Sequence, residues 1–224
     1  MRVRELHSWN VSPIEAVSIQ KNLAALVSSC DQNHIPHFVA GADISIDRIR
    51  DKAVAAVVVL KYPELELVNS VVIEDKVVFP YIPGLLSFRE APLVLRACEK
   101  LKEGFDLLLV DGQGVAHPRR MGLASHLGLL LDKPTIGCAK SCLIGTYQEP
   151  PNEAGCWTEL NDEGDLIGAV LRTRKGVKPI YVSIGNKITL VSAVEWTLAC
   201  SRNYRIPEPL RLAHITAGKQ SLRS

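Results

Sequence analysis

The stretch Asp106–Pro118, DLLLVDGQGVAHP, constrains the fold more than any other part of this sequence. Its four aliphatic residues, Leu107 to Val110, are too few for a helix and show no polar alternation, so they predict a strand buried on both faces. The strand ends in a carboxylate, Asp111, followed by Gly112 and Gly114, which permit a tight turn and the close approach of another group. His117 and Pro118 close the loop, and Arg119 and Arg120 place two positive charges just beyond it. An acid at a strand end, with glycines beside it and cations behind, suits a metal ion and a phosphate. A plain Asp-Gly turn after a buried strand has the same sequence, so partners elsewhere must decide.

A chain of 224 residues is expected to form one domain, able to bury about 70% of its unfolded surface without disulfides or metals. No apolar run approaches the ~18 residues of a membrane span, so no membrane contact is expected. The opening MRVRELHSWN has no apolar segment after its basic residues, so no secretory signal is expected; the chain is read as a cytoplasmic monomer. Cys30, Cys98, Cys138, Cys142, Cys156 and Cys200 form no C-x-x-C pair and meet no histidine at zinc-finger spacing, so they read as reduced, mostly buried thiols. A net charge of +2 excludes a purely electrostatic, histone-like binder of nucleic acid. Two local clusters, Arg172, Arg174, Lys175 and Lys178, then Arg202, Arg205 and Arg211, form either a basic stripe or solvated polar loops.

In chain order, Ser12-Pro13-Ile14-Glu15 combines a Ser cap, a first-turn proline and a capping-box glutamate, predicting a helix over about 13–29 that packs and carries no chemistry. Phe38–Ile46, Val54–Leu60 and Glu66–Ile73 read as three strands of an antiparallel meander, with turns at Asp47–Lys52 and Glu74–Lys76. Asp43 lies inside the first strand, where a buried charge needs either a basic partner or a metal. Pro80-Tyr81-Ile82-Pro83-Gly84 is stiffened by two prolines and ends in a Pro-Gly turn; its tyrosine either packs on the surface or enters a stack of bases. A helix is expected over about 88–103, stopped by Gly104, with Glu90 either capping with Ser87 or directed at the strand ends. A short helix over Met121–Leu131 and a buried strand over Pro134–Cys138 follow, so Lys140 lies at a strand end as Asp111 does. Glu149–Gly168 reads as a surface excursion before strands near 167–172 and 180–184. Helices near 190–202 and 208–217 complete the chain, the last carrying His214, with a flexible polar tail from about Gly218.

Three antiparallel strands, a helix, then strand–helix–strand units make an α/β protein with a mixed central sheet flanked by helices, and acids on the first strand, first long helix and fourth strand. That layout resembles the ribonuclease H-like fold. Four blocks narrow the likeness: GADIS around Asp43, PYIPGLLSFRE from Pro80 to Glu90, DGQGVAHPRRMGLASHLG from Asp111 to Gly128, and GCAKSCLIG from Gly137 to Gly145. Together they resemble endonuclease V, the deoxyinosine-directed repair nucleases.

The resemblance implies that Asp43, Glu90 and Asp111 hold Mg²⁺, with Mn²⁺ able to substitute, and that Lys140 and His214 complete the catalytic set. It implies DNA contacts for Tyr81, the wedge that replaces a departed base, for Arg89 beside the metal-binding glutamate, and for His117 at the cleft. Gly84, Gly112 and Leu143 are implied to form a small base pocket. The implied partner is DNA containing deoxyinosine, nicked at the second phosphodiester 3′ to the lesion to leave 3′-hydroxyl and 5′-phosphate ends. Two other classes stay open, an endoribonuclease acting on inosine-containing RNA and a module that binds inosine or branched DNA without cutting.

Overall fold

The structure is a computed structural model that describes residues 1–31, 35–47 and 52–221. Helix α1 (Pro13–Ala24) starts with the expected reciprocal cap: Ser12 Oγ accepts from Glu15 N at 3.3 Å, and Glu15 Oε2 accepts from Ser12 N at 2.7 Å. It stops short of residue 29 because the chain is drawn elsewhere. Ser28 N donates to Asn186 Oδ1 at 3.0 Å, and Ser28 O accepts from Lys187 N at 2.7 Å.

Strands β1 (Phe38–Asp47), β2 (Lys52–Lys61) and β3 (Glu66–Lys76) form the expected antiparallel meander. Of the turn expected at Asp47–Lys52, residues 48–51 lie outside the described residues, and the turn expected at Glu74–Lys76 is strand instead, because those residues pair with Val54, Ala53 and Lys52 of β2. Helix α2 (Leu86–Lys100) begins one residue before Ser87 and ends before Gly104, so Ser87 lies inside the helix and no side chain caps its start. Strand β4 (Leu107–Val110) is buried along its whole length, α3 (Leu123–Leu131) is buried throughout, and β5 (Thr135–Ala139) follows. The segment expected to be an excursion, Glu149–Gly168, instead contains β7 (Trp157–Asp162), which joins β6 (Thr146–Tyr147) before it to β8 (Asp165–Leu171), the strand expected near 167–172, and so extends the sheet. Its turn, Glu163-Gly164, has both residues at positive φ, which joins β7 and β8 tightly, while the polar side chains that obscured the strands lie on their exposed positions. After β9 (Ile180–Asn186) and α4 (Leu190–Ala199), helix α5 (Glu208–Ser221) runs three residues beyond Gly218, where a tail was expected to begin.

Among the described residues the nine strands form one sheet in the order β3-β2-β1-β4-β5-β9-β8-β7-β6. Only β1–β4 and β4–β5 are parallel, so the ends of three adjacent strands open on one edge of the molecule. Alternate residues of β4 face opposite layers. Leu108 and Val110 pack with Ala91 and Val94 of α2 and Leu127 of α3, whereas Leu107 and Leu109 pack with Val194 of α4 and Leu210 of α5. Burying each such leucine contributes about 1.5–3 kcal/mol, which is why this short run centres the sheet. Helix α5 crosses β1 at Gly41, where a Cβ would meet the Pro209 carbonyl oxygen at 2.2 Å; only glycine lets the helix lie so close.

Candidate active site

Register places the acids. Ala42 pairs with Val110, and Val110 with Gly137, so Asp43, Asp111 and Lys140 emerge near the same level of three neighbouring strands. The Asp111 backbone N donates to Ala42 O at 3.1 Å, which holds the two acidic residues side by side. Glu90 arrives from α2 and is buried at 8% exposure; it makes no cap with Ser87, so that alternative is removed. Asp43 is buried at 5% exposure and accepts from His214 Nδ1 of α5 at 2.9 Å, while Lys140 Nζ pairs with Asp111 Oδ2.

The electrostatics of this cluster are strained by like charge. Burial first, then the Asp43 carboxylate, pushes Glu90 up to about 8, with Asp111 adding and Arg89 opposing. Burial also raises Asp111, and neighbouring Asp43 adds to it, against the lowering pull of Lys140. Glu90 and Asp111, both raised, stand with Asp43 as three oxygen donors, a chemical fit for a hard divalent cation, which removes the repulsion. Among the described residues no three His, Cys, Asp or Glu side chains are already gathered into a cage; Asp43 is turned to His214 and Asp111 to Lys140.

Beside the acids lies a cavity of about 160 Å³, lined among others by Tyr81, Gly84, Gly112, His117 and Leu143, so the structure brings these residues of the sequence reading together. Its volume is small against the ~300–1,000 Å³ of ordinary small-molecule sites. The Pro83-Gly84 turn forms as its sequence requires: Leu85 N donates to Ile82 O at 2.9 Å and Gly84 has φ +78°. His117 is buried at 4% exposure, with its pKa pushed down to about 4 by burial and then by Arg119. Its Nδ1 accepts from Arg119 N at 3.2 Å, so its Nε2 donates to Gly84 O at 3.0 Å. Its ring therefore braces the loop from inside. Tyr81 is 63% exposed and Leu143 49% exposed at the cavity rim.

Arg89 stands apart from the cavity. Its Nη1 donates to Phe79 O at 3.0 Å, so it supports the strand-to-helix connector that carries Tyr81. Two members of the cation clusters are turned to internal groups: Arg172 is buried against the carbonyls of Pro150, Pro151 and Val177 and against Glu149, and Arg205 donates to Lys140 O, Lys178 O and Pro179 O. Arg174, Lys175, Arg202 and Arg211 likewise meet neighbouring carbonyls or carboxylates. All six cysteines are free, and three of them, Cys98, Cys138 and Cys200, are buried with thiols pushed up to about 12. Two positions escaped the sequence reading. Gly41 seats α5, and Gln20 of α1, 1% exposed, reaches the cavity wall; its signal was a polar residue at helical spacing between Ala16 and Leu23 on the apolar face.

A ribonuclease H-like sheet with carboxylates converging at its parallel strand ends defines the class of this protein, a nuclease. Residues 21–215 match the family model described as Endonuclease V, and the chain belongs to that family. It is 54% identical over 221 residues to an endonuclease V of Methanothrix thermoacetophila, covering 99% of this chain and 97% of the relative. The crystal structure of endonuclease V from Streptomyces avermitilis superposes with a TM-score of 0.91 at 41% identity, over 100% of this chain and 98% of that one. Endonuclease V of Ciona intestinalis, in complex with a 24mer DNA containing an inosine followed by a ribo-adenosine, superposes with a TM-score of 0.84 at 29% identity, over 94% and 98%. No helix among the described residues is long and apolar enough to cross a membrane.

Proposed function

We propose that this endonuclease recognises deoxyinosine, the product of adenine deamination, by flipping it from the duplex, and that it nicks the second phosphodiester bond 3′ to the lesion. The products are 3′-hydroxyl and 5′-phosphate ends. The supporting observation is that Asp43, Glu90, Asp111, Lys140 and His214 meet at the strand ends beside a cavity containing Gly84, Gly112 and Leu143. Asp43, Glu90 and Asp111 would hold Mg²⁺, or Mn²⁺ in its place; the ion supplies Lewis-acid charge and lowers the pKa of bound water. Lys140, half exposed beside Asp111, holds the scissile phosphate or orients the attacking water. His214 donates from Nδ1 to Asp43, which leaves Nε2 as a proton acceptor for that water. Tyr81, held between Pro80 and Pro83, fills the space left by the extruded base. A hypoxanthine pair is weaker than a normal pair, so extruding it costs less. The enzyme acts as a cytoplasmic monomer.

The test is nicking of paired oligonucleotides, DNA and RNA, each carrying one inosine, with Mg²⁺ or EDTA and with wild type or Asp43→Ala. Cation-dependent nicking of the DNA, lost in the variant, is expected. Cutting of RNA alone makes the chain a ribonuclease, a reading favoured by the ribo-adenosine that follows inosine in the Ciona complex. Tight binding with no cutting leaves only a binding module. Tyr81→Ala is expected to weaken binding to inosine duplex in EDTA; equal affinity to wild type would count against the wedge.

A further inference from the structure

We propose that Gln20 and Arg119 are specificity-determining positioning residues, a clasp that fixes the Gly84 wall of the cavity and so limits which purine enters it. The inference rests on the inosine reading above. Three donors converge on one carbonyl oxygen: Gly84 O accepts from Arg119 Nη2 at 2.6 Å, Gln20 Nε2 at 3.0 Å and His117 Nε2 at 3.0 Å. On the other side of the same peptide plane, Leu85 N closes the Pro-Gly turn. That peptide is held at both ends and cannot rotate alone.

Gln20 ties the wall to the rest of the cavity. Its Nε2 also donates to Met121 O at 3.1 Å, in the segment that follows the Asp111 loop, and its Oε1 accepts from Arg119 Nε at 2.6 Å. Exchanging the amide N and O would set Oε1 against two carbonyls and Nε2 against a guanidinium N–H, so the orientation is determined. Arg119 packs so closely that a Cβ on Gly84 would meet its Nη2 at 2.6 Å. The clasp therefore fixes the distance between Gly84 and Met121, two backbone positions that line the cavity.

Hypoxanthine and guanine differ only by the amino group on C2. A cavity rejects the larger base only as far as its wall refuses to yield, and a glycine turn without cross-braces yields easily. With the clasp in place, the added amino group must break several hydrogen bonds to be admitted. Without it, the turn moves and guanine is tolerated.

The experiment measures binding in EDTA, and kcat and KM with Mg²⁺, on duplexes carrying inosine or guanosine at one position. Wild type is compared with Gln20→Leu, Gln20→Glu and Arg119→Lys, and with Ser12→Ala as a destabilised control whose hydroxyl bonds to Glu15 and to none of the clasp groups. The inosine-over-guanosine ratio is expected to fall about tenfold in the clasp variants, through KM more than kcat, and to hold in Ser12→Ala. Arg119 is partly exposed and its lysine variant keeps the charge, so it tests the clasp even where a Gln20 variant unfolds; lysine lacks the planar fork that directs Nε to Gln20 and Nη2 to Gly84. An unchanged ratio in the folded clasp variants, or one that falls equally in the control, overturns the clasp while the inosine reading stands. No inosine preference in wild type overturns both.

Discussion

His126 is wholly buried against Trp9 and Phe88, with its Nε2 2.6 Å from His7 Nε2, and burial pushes its pKa down to about 3, with His7 adding. His117, at about 4, is also neutral when folded. Unfolding returns both to an ordinary value of ~6.5, so the unfolded chain binds more protons within that window. Their contribution to stability is present above about pH 6.5 and is lost as the pH falls through their folded values. The urea midpoint is expected to drop from about pH 6.5 to pH 4, and less steeply in His126→Leu; equal slopes would refute the assignment. Glu90 works in the opposite sense. Its folded pKa of about 8 lies above the ordinary carboxylate range, so the folded chain holds the extra proton and stability declines as the pH rises from about 4.5 to about 8. Glu90→Gln is therefore expected to melt higher than wild type at about pH 8 in EDTA while losing nicking. A lower melting temperature would show that the acid is satisfied without a cation.

At the scale of elements, two local contacts start or seat the outer helices. The reciprocal cap at Ser12 starts α1, and Ser12→Ala is expected to cost about 1 kcal/mol by denaturant titration without changing substrate preference. Helix α5 depends on its seat at Gly41, where the clash of an added Cβ is with backbone atoms of Pro209 and Leu210 that no side-chain rotation relieves. Gly41→Ala is expected to cost about 1–3 kcal/mol and to move His214 off Asp43, with a loss of nicking beyond what the stability change explains. Retention of full activity would mean that the Asp43–His214 contact is dispensable. Local signals predicted α1, β1 to β5, β8, β9 and α3 to α5 because their apolar spacing and caps act within one or two turns of chain. They missed β6 and β7 because exposed positions of edge strands carry the polar residues that also mark loops. They misplaced the start of α2 because Ser87 and Glu90 satisfy the capping pattern while burial places both inside the helix.

For the whole molecule, one continuous sheet through the described residues leads us to expect a single cooperative calorimetric transition; two resolved transitions would split the chain into separate domains. The sequence alone determined which donor groups are available, because carboxylate, lysine and histidine bring their oxygen or nitrogen atoms wherever they stand, while burial sets their charge, as it does for Glu90. It determined the buried central strand, through four aliphatic side chains with no polar alternation, and the rigid turn beneath Tyr81, through proline and glycine dihedral limits. Only the tertiary structure decided which of these groups meet. Asp43 and His214 lie 171 positions apart, and Gln20 and Arg119 are 99 apart, so no local pattern couples them. They meet because parallel pairing of β1, β4 and β5 aligns three strand ends, α5 packs on β1, and α1 packs with Phe88 and Met121. The same packing turned Arg172 and Arg205 to carbonyls of neighbouring loops, since a buried carbonyl without a donor is costly.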